Sequence, residues 1–131
     1  MSGTADPERM GLELEAIQQR LRRVESQSMS LEADLQETRR ALSTLESLTA
    51  DQDALVPIGG GLHVRARLHG DAPIVVPIGA GYASDQDLDA AKATLQERLE
   101  ATTRFLQETE AEADRLAQQG QALMARLRPS S

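Results

Sequence analysis

Apolar residues recur at alternating three- and four-residue intervals in two long segments of the chain. The segments are residues 10–49 and residues 88–127, and most of their stripe positions are apolar. Such spacing, sustained over five heptads, predicts two helices that pack along their apolar stripes as a left-handed coiled coil. We call each stripe a seam. The first seam consists of Met10, Leu14, Ile17, Leu21, Val24, Ser28, Leu31, Leu35, Thr38, Leu42, Leu45 and Thr49. The second consists of Leu88, Lys92, Leu95, Leu99, Thr102, Leu106, Thr109, Ala113, Leu116, Gly120, Leu123 and Leu127.

The two seams are nearly equal in length, which favours a chain that folds back on itself between them. In an antiparallel pairing Met10 falls beside Leu127, and Thr49 falls beside Leu88. A helical hairpin about 60 Å long results.

Helix-start signals precede both seams. Asp6 can cap the first helix, and the proline that follows suits a first helical turn. The second helix is expected to open near Ser84, three residues before Asp87, in a weak form of the capping box. These signals place the helices at residues 6–50 and 85–128.

Between the helices the apolar period changes from that of a helix to that of a strand. Leu62, Val64, Ala66 and Leu68 alternate with basic residues, as expected for a strand with one apolar and one polar face. The sequence VPIGGGL also recurs 20 residues later as VPIGAGY, with glycines where turns are needed. We therefore predict two β-hairpins within residues 55–84. The first pairs residues 55–58 with 62–68, and the second pairs residues 74–78 with 81–84.

These elements are not expected to be stable alone. An isolated hairpin is marginal in water, and its open strand edges seek partners. A two-helix seam is also marginal against the entropy of ordering the chain. We therefore predict an obligate oligomer in which hairpins from several chains close a shared β-barrel. The residues expected to build this barrel are Val56, Ile58, Leu62, Val64, Leu68, Ile74, Val76, Ile78 and Tyr82.

The predicted fold class is mainly α with a small β part. An antiparallel two-helix coiled coil carries two β-hairpins at its bend, and the hairpins form the oligomeric barrel. At 131 residues the chain is expected to be a single unit.

Composition and charge exclude several classes of protein. One Phe, one Tyr and no Trp leave little material for a wide core, and the net charge of −7 is spread over both helices. Nucleic acid is therefore not expected as a ligand. No apolar run has the roughly 18 residues of a membrane span, and the first residues lack the layout of a signal peptide. We expect a cytoplasmic protein without membrane contact. The absence of cysteine excludes disulfides and thiolate metal sites.

Chemical motifs are poor throughout the chain. His63 and His69 lie beside two arginines, an unfavourable setting for a metal ion. The glycines at 59–61 lack the Gly-Lys-Ser/Thr ending of a phosphate loop. Asp85, Asp87 and Asp89 fit a helix start, where negative charge is favourable. No nucleophile, base and orienting acid can be assembled, so we predict neither an enzyme nor a metal or cofactor site.

With these elements in place, the chain resembles a known family. The order of helix, LVPIGGG hairpin, VPIGAGY hairpin and helix over roughly residues 10–128 is similar to the alpha-class subunit of prefoldin. Two hairpins favour the alpha class over the beta class, and short helices without tails look more archaeal than eukaryotic. The hairpin motif carries this resemblance, because coiled coils occur in many unrelated proteins.

The resemblance implies an ATP-independent holdase chaperone. Its partners would be the prefoldin beta subunit in an alpha-two, beta-four hexamer, unfolded client proteins, and the group II chaperonin that receives them. In that arrangement the hairpins form the body, and the free ends of the coiled coils grip the client.

Candidates for the grip lie where the two helix ends meet. Leu12 and Met124 are apolar although they fall outside the seams. Flexible Met and Leu side chains can adapt to many sequences, although stray apolar residues are also normal at frayed ends. The predicted client-binding residues are Met10, Leu12, Leu123, Met124 and Leu127. Met29 and Phe105 are also off the seams and are assigned to lateral packing or chance.

Two other functions remain open from the sequence. A coiled-coil scaffold or tether could use the same helices to hold two partners apart. A homo-oligomeric prefoldin-like assembly could use the same strands without any beta-class partner.

Overall fold

A computed structural model describes residues 5–48 and 51–128. Its elements are α1 (Ala5–Ser47), β1 (Gln52–Gly59), β2 (Leu62–Leu68), β3 (Ile74–Gly79), β4 (Tyr82–Gln86) and α2 (Leu88–Leu127). The fold is mainly helical with a small β part, as the sequence predicts. None of the described helices is long and apolar enough to cross a membrane.

The chain divides into two compact units. The helical unit contains Met1–Leu35 and Ala101–Ser131, and the hairpin unit contains Gln36–Glu100. The hairpin unit therefore holds the end of α1, both hairpins and the start of α2.

In the helical unit α1 and α2 pack in the predicted antiparallel register. A methyl group on Gly120 would lie 3.7 Å from Ile17 Cγ2 and 3.7 Å from Leu14 Cδ1, as the pairing of Met10 with Leu127 requires. The guanidinium of Arg20 binds Glu112 Oε1 from Nη2 at 2.6 Å and from Nε at 2.9 Å. Within both described helices the seam residues are buried or half-buried, and most other side chains are exposed.

The two hairpins repeat each other in backbone detail. β1 pairs antiparallel with β2, and β3 pairs antiparallel with β4. Each turn has two residues with positive φ, which are 59° and 79° at Gly60 and Gly61 and 53° and 79° at Ala80 and Gly81. Turns of this form match the twist of the strands that they join. Just before each turn an extra residue, Ile58 or Ile78, lies where the register shifts.

Several element ends differ from the sequence prediction. α1 already includes Ala5, so Asp6 lies in the first turn and is not its cap. α2 begins at Leu88 and not near Ser84, because the β4 ladder continues as far as the pairing of Gln86 with Ile74. Asp87 is the cap instead, since its Oδ1 accepts a 2.8 Å hydrogen bond from the Ala90 amide.

The first strand is also longer than predicted. It begins at Gln52 and not at residue 55, because Gln52 and Ala54 pair with Leu68 and Ala66. The predicted seam residue Thr49 lies outside the described residues.

The close approach at Gly120 leads to a stability prediction. Gly120→Ala should raise the free energy of unfolding by about 1–2 kcal/mol, because alanine favours the helix by about 1 kcal/mol and its methyl group adds apolar contact. The measurement is thermal and chemical unfolding followed by helical circular dichroism.

Gly11→Ala is the matched control for this change. Gly11 is also helical, but nothing lies within 4 Å of the added methyl group, so only the gain in helix propensity is expected. A loss of stability in Gly120→Ala beside a gain in Gly11→Ala would contradict the described register.

Candidate protein-binding surfaces

The hairpin of β3 and β4 packs one face onto the helices of its own unit. Val76 is only 4% exposed and forms a cluster with Leu45, Ala91 and Leu95. The half-buried residues against this cluster are Leu42, Leu48, Ile74 and Leu88. This hairpin therefore has an inner face that its own chain has already covered.

Polar contacts hold the same hairpin to α2. Thr94 Oγ1 donates a 2.9 Å hydrogen bond to Gln86 Oε1, and Arg98 Nη2 donates a longer one, 3.4 Å, to the carbonyl of Pro77. These bonds lie at the two ends of the hairpin's strands. They fix which face of the hairpin is turned toward α2.

The outer face of this hairpin is open. Val75 lies one residue from Val76 but is 66% exposed, and it pairs with the exposed Asp85. Ile78 and Tyr82, next to the turn, are also exposed.

The hairpin of β1 and β2 leaves its apolar face uncovered. Val56 pairs with Val64 on this face, and both are exposed, as is Leu62 beside the turn. The opposite face carries Leu55 paired with Arg65. Exposed apolar side chains that form a contiguous patch usually mark a surface for another protein.

These contacts change the role of two predicted barrel residues. Val76 was predicted to contact other subunits, but its side chain is buried in the core of its own chain. Ile74 is half-buried against the same core. Alternation along a strand predicts that two faces exist, but it does not say which face the chain's own helices cover.

At the end of the helical unit the predicted client-binding residues fall into three groups by exposure. Leu12 is 68% exposed and Met124 is 42% exposed, while Met10 and Leu127 are half-buried. Leu123, a seam residue one helical turn further from the chain end than Leu127, is only 8% exposed. The prediction for Leu123 is therefore corrected, and its role is to hold the helices together.

The other residues singled out in the sequence are exposed and do not form one site. Met29 and Phe105 are exposed on the helical unit. His63 and His69 are exposed in or beside β2. Among the described residues, no group of three or more His, Cys, Asp or Glu could hold a metal ion.

Comparisons with known proteins agree on one family. A family model described as "Prefoldin subunit" matches residues 12–129. The prefoldin subunit alpha of Methanosarcina mazei is 33% identical over 104 residues, which cover 74% of this chain and 73% of that protein. The prefoldin subunit alpha of Halobacterium salinarum is 39% identical over 67 residues, which cover 51% of this chain and 42% of that protein.

A solved structure shows the same fold. The cryo-EM structure of filamentous PFD from Methanocaldococcus jannaschii matches with a TM-score of 0.72 at 19% identity, covering 88% of this chain and 98% of that chain. At this identity the likeness concerns the fold alone.

Val75 and Val76 are neighbours in the chain but differ in burial, so the same substitution at both positions gives a prediction and its control. Val76→Ala should lower the free energy of unfolding by about 2 kcal/mol, because it removes buried methyl groups and leaves a cavity. Val75→Ala, the same change on the open face, should alter stability by no more than about 0.5 kcal/mol. Both are measured by thermal unfolding of the purified chain. Equal losses in the two variants would show that the hairpin does not dock through Val76.

Proposed function

The chain belongs to the prefoldin family of chaperone subunits, and we propose that it is an ATP-independent holdase subunit that captures unfolded proteins with the end of its helical unit. The observation that carries this proposal is the exposure of Leu12 and Met124 at that end. Both lie outside the seam, so binding a client would not require the two helices to separate.

The chemistry of these side chains suits a holdase. Unfolded proteins share no sequence, so a surface that holds many of them must bury apolar groups without shape selection. Unbranched Met and flexible Leu side chains repack around different partners. Half-buried Met10 and Leu127 would extend the same surface around Leu12 and Met124.

The open hairpin surfaces support assembly with other subunits. The two sheets have only two strands each, and such sheets are marginal in water until more strands or packing are added. We therefore assign the exposed apolar residues of the hairpins to a shared barrel with prefoldin beta subunits, in an alpha-two, beta-four hexamer. The residues in this role are Val56, Ile58, Leu62, Val64, Leu68, Ile78 and Tyr82.

Further parts of the proposal come from the family. The chain, residues 1–131, would act as a single prefoldin-like unit in the cytoplasm and deliver clients to a group II chaperonin. The holding step needs no cofactor and no catalytic residue, because it consists only of the burial and release of apolar surface.

Replacing the two exposed end residues tests the binding role. In a complex with its beta-class partner, Leu12→Ser combined with Met124→Ser should raise the amount of chaperone needed to prevent aggregation of a denatured protein at least about threefold, because apolar contact area is lost. Protection should be the same with and without ATP. The assay is light scattering of a chemically denatured client.

Met29→Ser combined with Phe105→Ser is the matched control. It also removes two exposed apolar side chains from the helical unit, but away from its end. Protection should then stay at the wild-type level. Equal loss in both variants would argue against a site at the end, and full protection by the Leu12 and Met124 variant would move client binding elsewhere.

A further inference from the structure

Methionine supplies all the sulfur in this chain. The sequence contains four methionines and no cysteine. Hydroperoxides act mainly on thiolates and thioethers in proteins, and only thioethers are present here. Oxidation by a peroxide is therefore expected to fall on methionine side chains.

The three methionines among the described residues differ in exposure and in position. Met29 is 71% exposed, Met124 is 42% exposed, and Met10 is half-buried. Met10 and Met124 lie at the end of the helical unit, whereas Met29 lies about 28 Å further along α1. Because oxidation follows exposure, Met29 and Met124 should react before Met10, and only Met124 lies at the proposed client-binding surface.

The surroundings of Met124 leave its side chain accessible. A methyl group on Gly120 would lie 3.7 Å from both Leu14 and Ile17, so Met124, one turn further along α2, is level with residues 10–13 of α1. In that stretch Gly11 has no side chain, and nothing lies within 4 Å of a methyl group placed on it. α1 therefore contributes no side chain at Gly11 that could shield the Met124 thioether.

A sulfoxide at this position would change the chemistry of the surface. Oxidation turns a flexible apolar side chain into a polar one, and burying a polar group without a hydrogen-bond partner is unfavourable. Unfolded clients of varied sequence offer no fixed donor for the new oxygen. Since Met124 lies outside the seam, the change would weaken apolar contact with clients without loosening the pairing of the helices.

We propose that Met124 is an oxidative modification site, where a hydroperoxide converts the thioether to a sulfoxide and weakens the holding of clients. The sulfur attacks the terminal oxygen of the hydroperoxide, so an S–O bond forms and the O–O bond breaks. The sulfur loses two electrons, and the leaving oxygen keeps the peroxide proton as an alcohol, or as water from hydrogen peroxide. The proposal rests on the client-binding role in the proposed function and adds a regulation of that site.

Selective oxidation of this subunit tests the proposal. The purified full chain is treated with hydrogen peroxide at a dose that leaves Met10 mostly unmodified, the peroxide is removed with catalase, and the chain is assembled with an untreated beta-class partner. Peptide mass spectrometry follows each methionine, and light scattering of a chemically denatured client measures protection. Oxidation should raise the amount of complex needed for protection at least about twofold, because apolar contact is lost. Methionine sulfoxide reductases of both stereospecificities should restore it.

Two conservative variants assign the effect to one residue. Met124→Leu keeps an apolar side chain that peroxide does not oxidise, so its protection should be the same before and after treatment. Met29→Leu is the matched control, because it removes the more exposed methionine and should still lose protection on oxidation. Helical circular dichroism should be unchanged by the treatment in all three proteins.

Three results would each overturn the proposal: no sulfoxide at Met124 at a dose that converts Met29, full protection with Met124 oxidised, or equal loss in Met124→Leu and the wild-type chain. If oxidation has no effect while Leu12→Ser with Met124→Ser weakens protection, the modification fails and the chaperone role stands. If the untreated complex gives no protection, the proposed function fails and this regulation fails with it.

Discussion

The packing of Val76 against Leu45, Ala91 and Leu95 determines which surfaces of the hairpin unit remain exposed to other proteins. A two-stranded sheet has two faces, and the one that packs on its own helices is lost to other proteins. Because Val76 anchors that face, Val75 is left on the outside. The hairpin of β1 and β2 has no comparable buried residue, so its apolar face stays open. The unit thus separates a surface that supports the fold from surfaces that can bind.

The two kinds of open surface differ in how they recognise a partner. On the hairpins, the hydrogen-bonded pairing of the strands fixes the positions of backbone edges, charges and apolar residues. Such a surface favours a partner of complementary geometry. At the end of the helical unit, Leu12 and Met124 lack such a frame and provide apolar contact without directional bonds. The first arrangement suits permanent assembly, and the second suits brief contact with many chains.

Much of this structure could be predicted from the sequence, because heptad spacing and strand alternation are strictly periodic. Both helices, both hairpins and the register that places Ile17 beside Gly120 follow from those periods. The predicted binding roles of Val76 and Leu123 were wrong. Periodicity identifies which residues share an apolar face, but it does not show whether the chain itself or another protein covers that face. The start of α2 was misplaced because Ser84 and Asp87 are both capable caps, and only the length of the β4 ladder decides between them.

The extra residues Ile58 and Ile78 affect how far either two-stranded sheet could grow by adding strands of other chains. A bulge increases the local right-handed twist and bends its strand, so the strands next to each turn cannot lie flat. Flat sheets can add strands without limit, as in fibrils, whereas strongly twisted ones curl toward closure. Since both copies of the repeat carry the bulge at the same place, the same segment that exposes pairing edges also gives the sheet the curvature that favours a closed, finite assembly.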